Sequence, residues 1–309
     1  MTHGAARRAL EVVNVKSSNL LSIGLVLLLG LAFGSSVVFT RLGIREIPPL
    51  SLAGLRLAVA TVAFTATLAL LHRRLPGETR VRWDIAMVGI TATGLPLMAF
   101  TFALLFFSSG MLSIMIALTP LITAFTAHLW LADERLTWRR LAGLAAALIG
   151  VLFLLATGTT GLTSAVTSSL DWRGPALSLG GVLVIATSAV YTRRRLRGVD
   201  PLVVAGGQTA VGLLFVLPFA LAFSSLDLSM ITWRGWMAVL YTGLIGSFLA
   251  FFVFFYIIQQ FGATTAALSN YVMPVTSAML GALMLGEVIT LPMIAGAGLI
   301  FSGVYLGSR

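Results

Sequence analysis

The chain repeats itself at long range. The segment Ser36-Val37-Val38-Phe39-Thr40-Arg41 returns as Ser188-Ala189-Val190-Tyr191-Thr192-Arg193, and Pro49-Leu50-Ser51-Leu52-Ala53-Gly54 returns as Pro201-Leu202-Val203-Val204-Ala205-Gly206, both at an offset of 152 residues. Pro120 answers Pro274 at 154, and Glu134, Thr137, Gly143 and Gly150 answer Glu287, Thr290, Gly296 and Gly303 at 153. Apolar runs fill both copies, at roughly 19–40, 49–71, 84–106, 109–131 and 138–156 in the first and 175–192, 201–223, 235–257, 263–285 and 290–307 in the second. Most reach the ~20 residues that a membrane-spanning helix needs. Five spans per copy is an odd number, so the second copy enters the membrane upside down relative to the first. Inverted repeats of this kind are the architecture of membrane carriers.

Composition agrees with lipid as the main solvent. Hydrophobic residues make up 58% of the 309 residues and charged residues 10%, against about 25% charged in soluble domains. Mean hydropathy is +1.01. The expected fold is an all-α membrane protein of ten transmembrane helices in two inverted five-helix repeats. Its parts are a cytoplasmic N-terminal segment (1–18), a first repeat (19–156), a Gly/Thr/Ser-rich linker (157–174) and a second repeat (175–309). The first apolar run is longer than a signal-peptide core and reads as an uncleaved span. No cysteine is present, which excludes disulfides, thiol chemistry and thiolate metal sites.

The net charge of +10 is not a nucleic-acid face, because the basic residues sit in short clusters between apolar runs. With a cytoplasmic N-terminus, the cytoplasmic side carries Arg7, Arg8, Lys16, Arg73, Arg74, Arg80, Arg82, Arg135, Arg139, Arg140, Arg193, Arg194, Arg195, Arg197 and Arg309. The opposite side carries Arg41, Arg45, Arg173 and Arg234. Fifteen against four is a strong positive-inside bias. The loop at 73–82 holds four arginines and its repeat partner near 224–234 holds one, as inversion requires. Both termini are expected in the cytoplasm.

The residues resemble the EamA group of the drug/metabolite transporter superfamily, over nearly the whole chain. The resemblance lies in Phe33-Gly34-Ser35-Ser36 (Phe33 where the family often has Trp), Pro48-Pro49-Leu50 followed by Ala53-Gly54-Leu55-Arg56, and Ala117-Leu118-Thr119-Pro120. It extends to Asp133-Glu134-Arg135-Leu136-Thr137 and to Gly286-Glu287, which keeps the family's Gly-Glu pair. No one of these motifs is specific, but their order, spacing and duplication are. The resemblance implies a small-metabolite carrier of the bacterial inner membrane, often an exporter. Amino acids are a common substrate class there, and aromatic amino acid exporters of the YddG type belong to the group.

Polar residues inside spans are the candidate site, because lipid penalises them unless they find partners. Asn270 is mid-span and its repeat partner is Ile116; a polar group kept in one copy alone points to substrate, against the alternative of a helix-packing hydrogen bond. Tyr271 either stacks on a ligand or packs. Ser36 and Ser188 hold matched places and either line a cavity on the pseudo-two-fold axis or permit close helix approach. Thr91 and Tyr191 complete the substrate-binding set. Arg56 is about seven residues into its helix, near ~10 Å by rise; it either meets a substrate carboxylate or snorkels, with Glu46 in reach, and its polar repeat partner Gln208 favours a shared structural role. Pro120 and Pro274 are matched kinks or hinges. His128 is read as interfacial, and the small-residue stripes Gly143/Ala147/Gly150 and Gly296/Gly303 as helix-packing faces at the periphery. Part of the aromatic run from Phe248 to Tyr256 is a candidate cavity lining.

All ten acidic residues read as lying in loops or at span ends, which argues against carboxylate-based ion coupling. Robust uphill transport driven by a proton gradient alone would contradict this. An intramembrane enzyme is disfavoured by the absence of H-E-x-x-H, G-x-S-x-G or a pair of intramembrane aspartates, and a channel by the absence of a filter ring. No cofactor or metal is expected. The partners expected are a small-molecule substrate and the lipid bilayer, with no nucleic acid, and the functional unit is expected to be a monomer. One Arg inside the spans suits zwitterions or neutral solutes better than phosphorylated ones.

Overall fold

The computed structural model describes residues 2–74, 76–130, 138–162, 171–224, 227–261, 265–266 and 268–308. The Asp133-Glu134-Arg135-Leu136-Thr137 motif lies outside the described residues. The long helices are α1 (Thr2–Gly43), α2 (Pro49–Leu70), α3 (Thr79–Ala103), α4 (Ser109–Trp130) and α5 (Trp138–Ala156), then α6 (Arg173–Arg195), α7 (Pro201–Phe223), α8 (Trp233–Gly243, Leu244–Leu249 and Ala250–Phe261), α9 (Ser269–Leu285) and α10 (Leu291–Ser308). Among the described residues seven helices are long and apolar enough to cross a membrane, and two shorter apolar helices, Leu141–Ala156 and Leu291–Leu306, accompany them. No strand occurs among the described residues. The protein is an all-helical, multi-pass membrane protein.

The helix ends follow local chemistry. Pro49 and Pro201 open α2 and α7, at the position where a missing N–H costs nothing. Asp200 caps α7 by accepting from Leu202 N at 2.9 Å, and Thr232 caps α8 by accepting from Arg234 N at 3.2 Å. Gly286 closes α9 at φ +67°, the left-handed conformation that glycine adopts freely.

The two halves interleave. α1 packs on α9 and α8, and α6 packs on α4 and α3. α7 packs on α2 and α3, and α2 packs on α8. Shifting every helix by five maps this pattern onto itself. The pairs α2–α7, α4–α9 and α5–α10 map onto themselves. The most extensive contacts all join helices of different halves, so the sequence repeats are not separate lobes.

The small-residue stripes meet each other in the α5–α10 pair. A Cβ on Gly303 would lie 2.4 Å from Gly143 O and 2.9 Å from Ala147 N, and one on Gly150 would lie 3.0 Å from Gly296 O. In lipid, where no hydrophobic force separates helix from solvent, such backbone proximity is what holds helices together. Gly303→Leu must push the two backbones apart and is expected to cost about 1–3 kcal/mol, the range for overpacking. The check is a lower thermal midpoint of the detergent-purified protein. Gly298→Leu, where a Cβ meets nothing within 4 Å, should leave the midpoint in place.

The matched prolines behave differently. α4 is interrupted, with helix over Ser109–Ile116 and again over Thr119–Trp130, so Pro120 stands in the first turn of a new segment. The carbonyl of Ile116, which a proline at 120 leaves without its helical donor, accepts from Thr119 Oγ1 at 2.6 Å. Pro274 lies inside an unbroken helix and deprives the carbonyl of Asn270. At Thr119's place in this copy stands Met273, which has no hydroxyl to offer.

Candidate functional site

Two π-helical turns widen matched helices, Gly89–Gly94 in α3 and Leu244–Leu249 in α8. Such turns are uncommon and concentrate at functional sites. Each faces a matched serine in the other half and a matched polar residue on a neighbouring helix. These are Ser188 on α6 and Gln208 on α7 for the α3 turn, and Ser36 on α1 and Arg56 on α2 for the α8 turn. By helical rise these four residues each lie about 10 Å in from the nearer end of their helix.

In the first cluster hydroxyls satisfy each other. Thr91 Oγ1 donates to Ser188 Oγ at 2.8 Å, and it also lies 2.7 Å from the Met87 carbonyl. Thr192 Oγ1 donates to Ser188 O at 2.8 Å. Gln208 is buried, and its backbone carbonyl oxygen lies 2.8 Å from where a Cβ on Gly89 would stand, so the wide turn of α3 sits directly on the backbone of α7. One turn further along α6, Tyr191 donates its hydroxyl to Asp84 Oδ1 at 2.5 Å.

Asp84 corrects the expectation about the acids. The helix starts at Thr79 rather than at 84, so Asp84 lies inside α3 and is 8% exposed. The signal available in the sequence was Arg80 four residues earlier, the spacing at which opposite charges share a helix face.

In the second cluster Arg56 is held on two neighbours. Its Nε donates to Ser247 Oγ at 2.7 Å, Nη1 to Thr40 Oγ1 at 3.2 Å and Nη2 to Gly246 O at 3.0 Å. Glu46, the acid in reach by sequence, instead accepts from Thr232 N at 3.2 Å and Thr232 Oγ1 at 2.7 Å, at the start of α8. Ser36 Oγ is buried and has no hydrogen-bond partner. Tyr241 stacks on Phe39 with ring centroids 3.9 Å apart and donates to Ser35 Oγ at 2.9 Å.

Asn270 and Tyr271 stand apart from both clusters, on α9 where it packs on α1. Both are half-buried. Tyr271 tilts against Phe301, with centroids 5.5 Å apart, and packs on the core formed by α4, α5 and α10. His128 and Trp130 are exposed on the outer surface of the bundle, where interfacial residues belong. Of the aromatic run, Phe248 meets Phe64 edge-on at 4.9 Å and Phe251 meets Phe33 at 6.1 Å, while Phe252 and Tyr256 face outward. Among the described residues no group of three or more His, Cys, Asp or Glu is placed to hold a metal ion.

Sequence reasoning noted Glu287 in the repeat and in the Gly-Glu pair but gave it no role. Gly286 turns the chain so that Glu287 reaches the start of α4. Its carboxylate accepts from Ser109 N at 3.0 Å and from Ser109 Oγ at 2.5 Å, and Arg41 Nε stands 3.9 Å away. Arg41 also donates to the Leu104 carbonyl at the end of α3. The Gly-Glu pair is therefore one knot that joins α1, α3, α4 and α9.

Comparison with known proteins assigns the class. The model of the EamA-like transporter family matches the chain twice, over residues 20–156 and 172–309. The chain belongs to the EamA-like transporter family. This transporter is 25% identical over 280 residues to the transporter YoaV of Bacillus subtilis (strain 168), covering 90% of this chain and 93% of that one. It is 27% identical over 272 residues to the inner membrane transporter YedA of Escherichia coli (strain K12), covering 86% and 84%. It is 25% identical over 292 residues to a probable amino-acid metabolite efflux pump of Salmonella typhimurium, covering 91% and 93%. A solved crystal structure shares the fold, with a TM-score of 0.62 at 20% identity over 94% of this chain and 96% of that one.

Proposed function

We propose that this transporter is a secondary carrier of the inner membrane that moves amino acids, hydrophobic and aromatic ones included, out of the cytoplasm by alternating access. Ten crossings in two inverted repeats form the path, with both termini cytoplasmic. The observation that carries the reading is the pair of matched polar clusters, each built from a π turn of one half and a serine of the other. Two copies of one polar layer, entered from opposite ends, give a molecule with two nearly equivalent packings around a central substrate path. The solute class is supported by the efflux pump relative and by the scarcity of buried charge, which leaves zwitterions better served than phosphorylated solutes.

In this reading Ser36, Ser188, Thr91, Tyr191, Asn270 and Tyr271 border the path. Asn270 contributes both its amide and a backbone carbonyl that Pro274 leaves without a helical donor. Pro120 and Pro274 set the bends of α4 and α9. Movement is facilitative or by exchange, and Asp84, tied to Tyr191, is where a proton would be carried if transport proved to be coupled.

The test is an uptake screen in proteoliposomes over labelled amino acids, purines and sugars, repeated with Asn270→Ala. Uptake of hydrophobic amino acids is expected to lead the screen. Asn270→Ala should raise the half-saturating concentration about tenfold, the effect of one lost hydrogen bond on a polar ligand. A purine or sugar carried while amino acids are not would overturn the substrate reading, and unchanged affinity in the variant would remove Asn270 from the path.

A further inference from the structure

The two polar clusters occupy equivalent places but are not chemically equivalent. Around the α3 turn the groups are neutral, and Thr91 and Ser188 are hydrogen-bonded to each other. Around the α8 turn the position of Gln208 holds Arg56, and the position facing the serine holds Gly246. A methyl on Gly246 would come within 1.9 Å of Ser36 Oγ and 3.1 Å of Arg56 Nη2, so the serine hydroxyl and the guanidinium both lie close against Gly246.

The hydrogen bonds of Arg56 do not neutralise it. A guanidinium has five N–H donors, and its partners here are two hydroxyls and one carbonyl. Among the described residues no carboxylate comes within 4.0 Å of it. A cation among membrane helices without a counter-charge is costly and marks a substrate or ion path. Ser36 Oγ, buried and without a partner beside it, is a second group whose hydrogen bond the protein does not supply. Both deficits are met at once by one anionic group with two oxygens.

The geometry points to Arg56 and Ser36 as the subsite for the carboxylate of the transported solute. A monocarboxylate matches one guanidinium in charge and in its bidentate geometry, whereas a phosphate dianion would call for further cations. This rests on the proposed amino-acid carrier for the identity of the solute, though not for the chemistry of the subsite.

The experiment measures ligand-induced thermal stabilisation of the purified full chain. The probes are phenylalanine against phenylalaninamide, and phenylacetate against phenylacetamide. The acids are expected to bind about 10- to 100-fold tighter than their amides in the unaltered protein, as loss of a charge-assisted hydrogen bond implies. Arg56→Gln, which installs the residue found at the mirror position, should abolish that preference and leave amide binding unchanged. Equal binding of acid and amide by the unaltered protein, or a preference that survives Arg56→Gln, overturns the subsite. If Arg56→Gln fails to fold, Ser36→Ala decides, because it removes a hydroxyl that has no partner within the protein. Acid binding should weaken severalfold while amide binding holds, and unchanged acid binding overturns the proposal. Phenylacetate bound in an Arg56-dependent way with phenylalanine ignored would sink the amino-acid reading and leave the subsite standing. Phenylalanine bound no better than its amide would do the reverse.

Discussion

A cysteine placed at Met230 is expected to react with a membrane-impermeant maleimide on intact cells, and one placed at Arg74 to react only after the membrane is opened. The two positions belong to equivalent loops of the two repeats, α2–α3 and α7–α8, and both are exposed. If the repeats were parallel, equivalent loops would share a side. Inversion puts them on opposite sides, and the arginines say which: Arg73, Arg74, Arg80 and Arg82 crowd the first loop and its flank, while Arg234 stands alone at the second. The chain has no cysteine of its own, so each variant carries a single reactive thiol and the expected effect is near all-or-none. Labelling of both, or of neither, in intact cells would contradict the inverted topology.

Replacing Glu287 by alanine is expected to destabilise the protein by about 3–5 kcal/mol, the cost of stripping one partner from a buried charge pair. The side chains of Glu287 and Arg41 are 7% and 18% exposed, so solvent does little to replace the lost carboxylate. The same change leaves the first N–H of α4, at Ser109, without an acceptor. Glu287→Gln keeps an acceptor for Ser109 but not the charge and should fall between the two. The measurement is the thermal midpoint of each purified variant. An alanine variant as stable as the parent would mean that the knot between α1, α3, α4 and α9 does not hold these helices together.

Much of this was legible in the sequence, for identifiable reasons. Helix positions follow from where apolar residues run uninterrupted, since lipid forces every backbone group to pair within its own helix. The failure at Asp84 has the same root. α3 begins with an amphipathic turn, Thr79 to Asp84, that the polar residues Arg80 and Arg82 hide from any hydropathy reading, so an acid buried inside the helix passed for one at its very end. The stripes on α5 and α10 were readable because glycine at helical spacing has few uses in lipid besides close packing.

The site was less legible. Ser36, Ser188 and Arg56 stand out as polar residues in apolar runs, but their partners depend on the π turns. Those turns reflect how closely α3 sits on α7, and α8 on α1 and α2, which no local pattern encodes. Arg56 shows the limit most clearly. Sequence distance offers Glu46, yet Glu46 is drawn to the free N–H groups at the start of α8, where Thr232 receives it. The arginine is left with neutral partners, and that isolation is what gives it a functional reading.

The central claim is that two inverted halves expose one substrate path to each side in turn. Efflux of labelled phenylalanine from proteoliposomes, measured with and without unlabelled phenylalanine outside, tests this most directly. A carrier returns to the inside faster when loaded, so external substrate should accelerate efflux several-fold, with saturation. Efflux that rises linearly with concentration and ignores the solute on the far side would contradict alternating access.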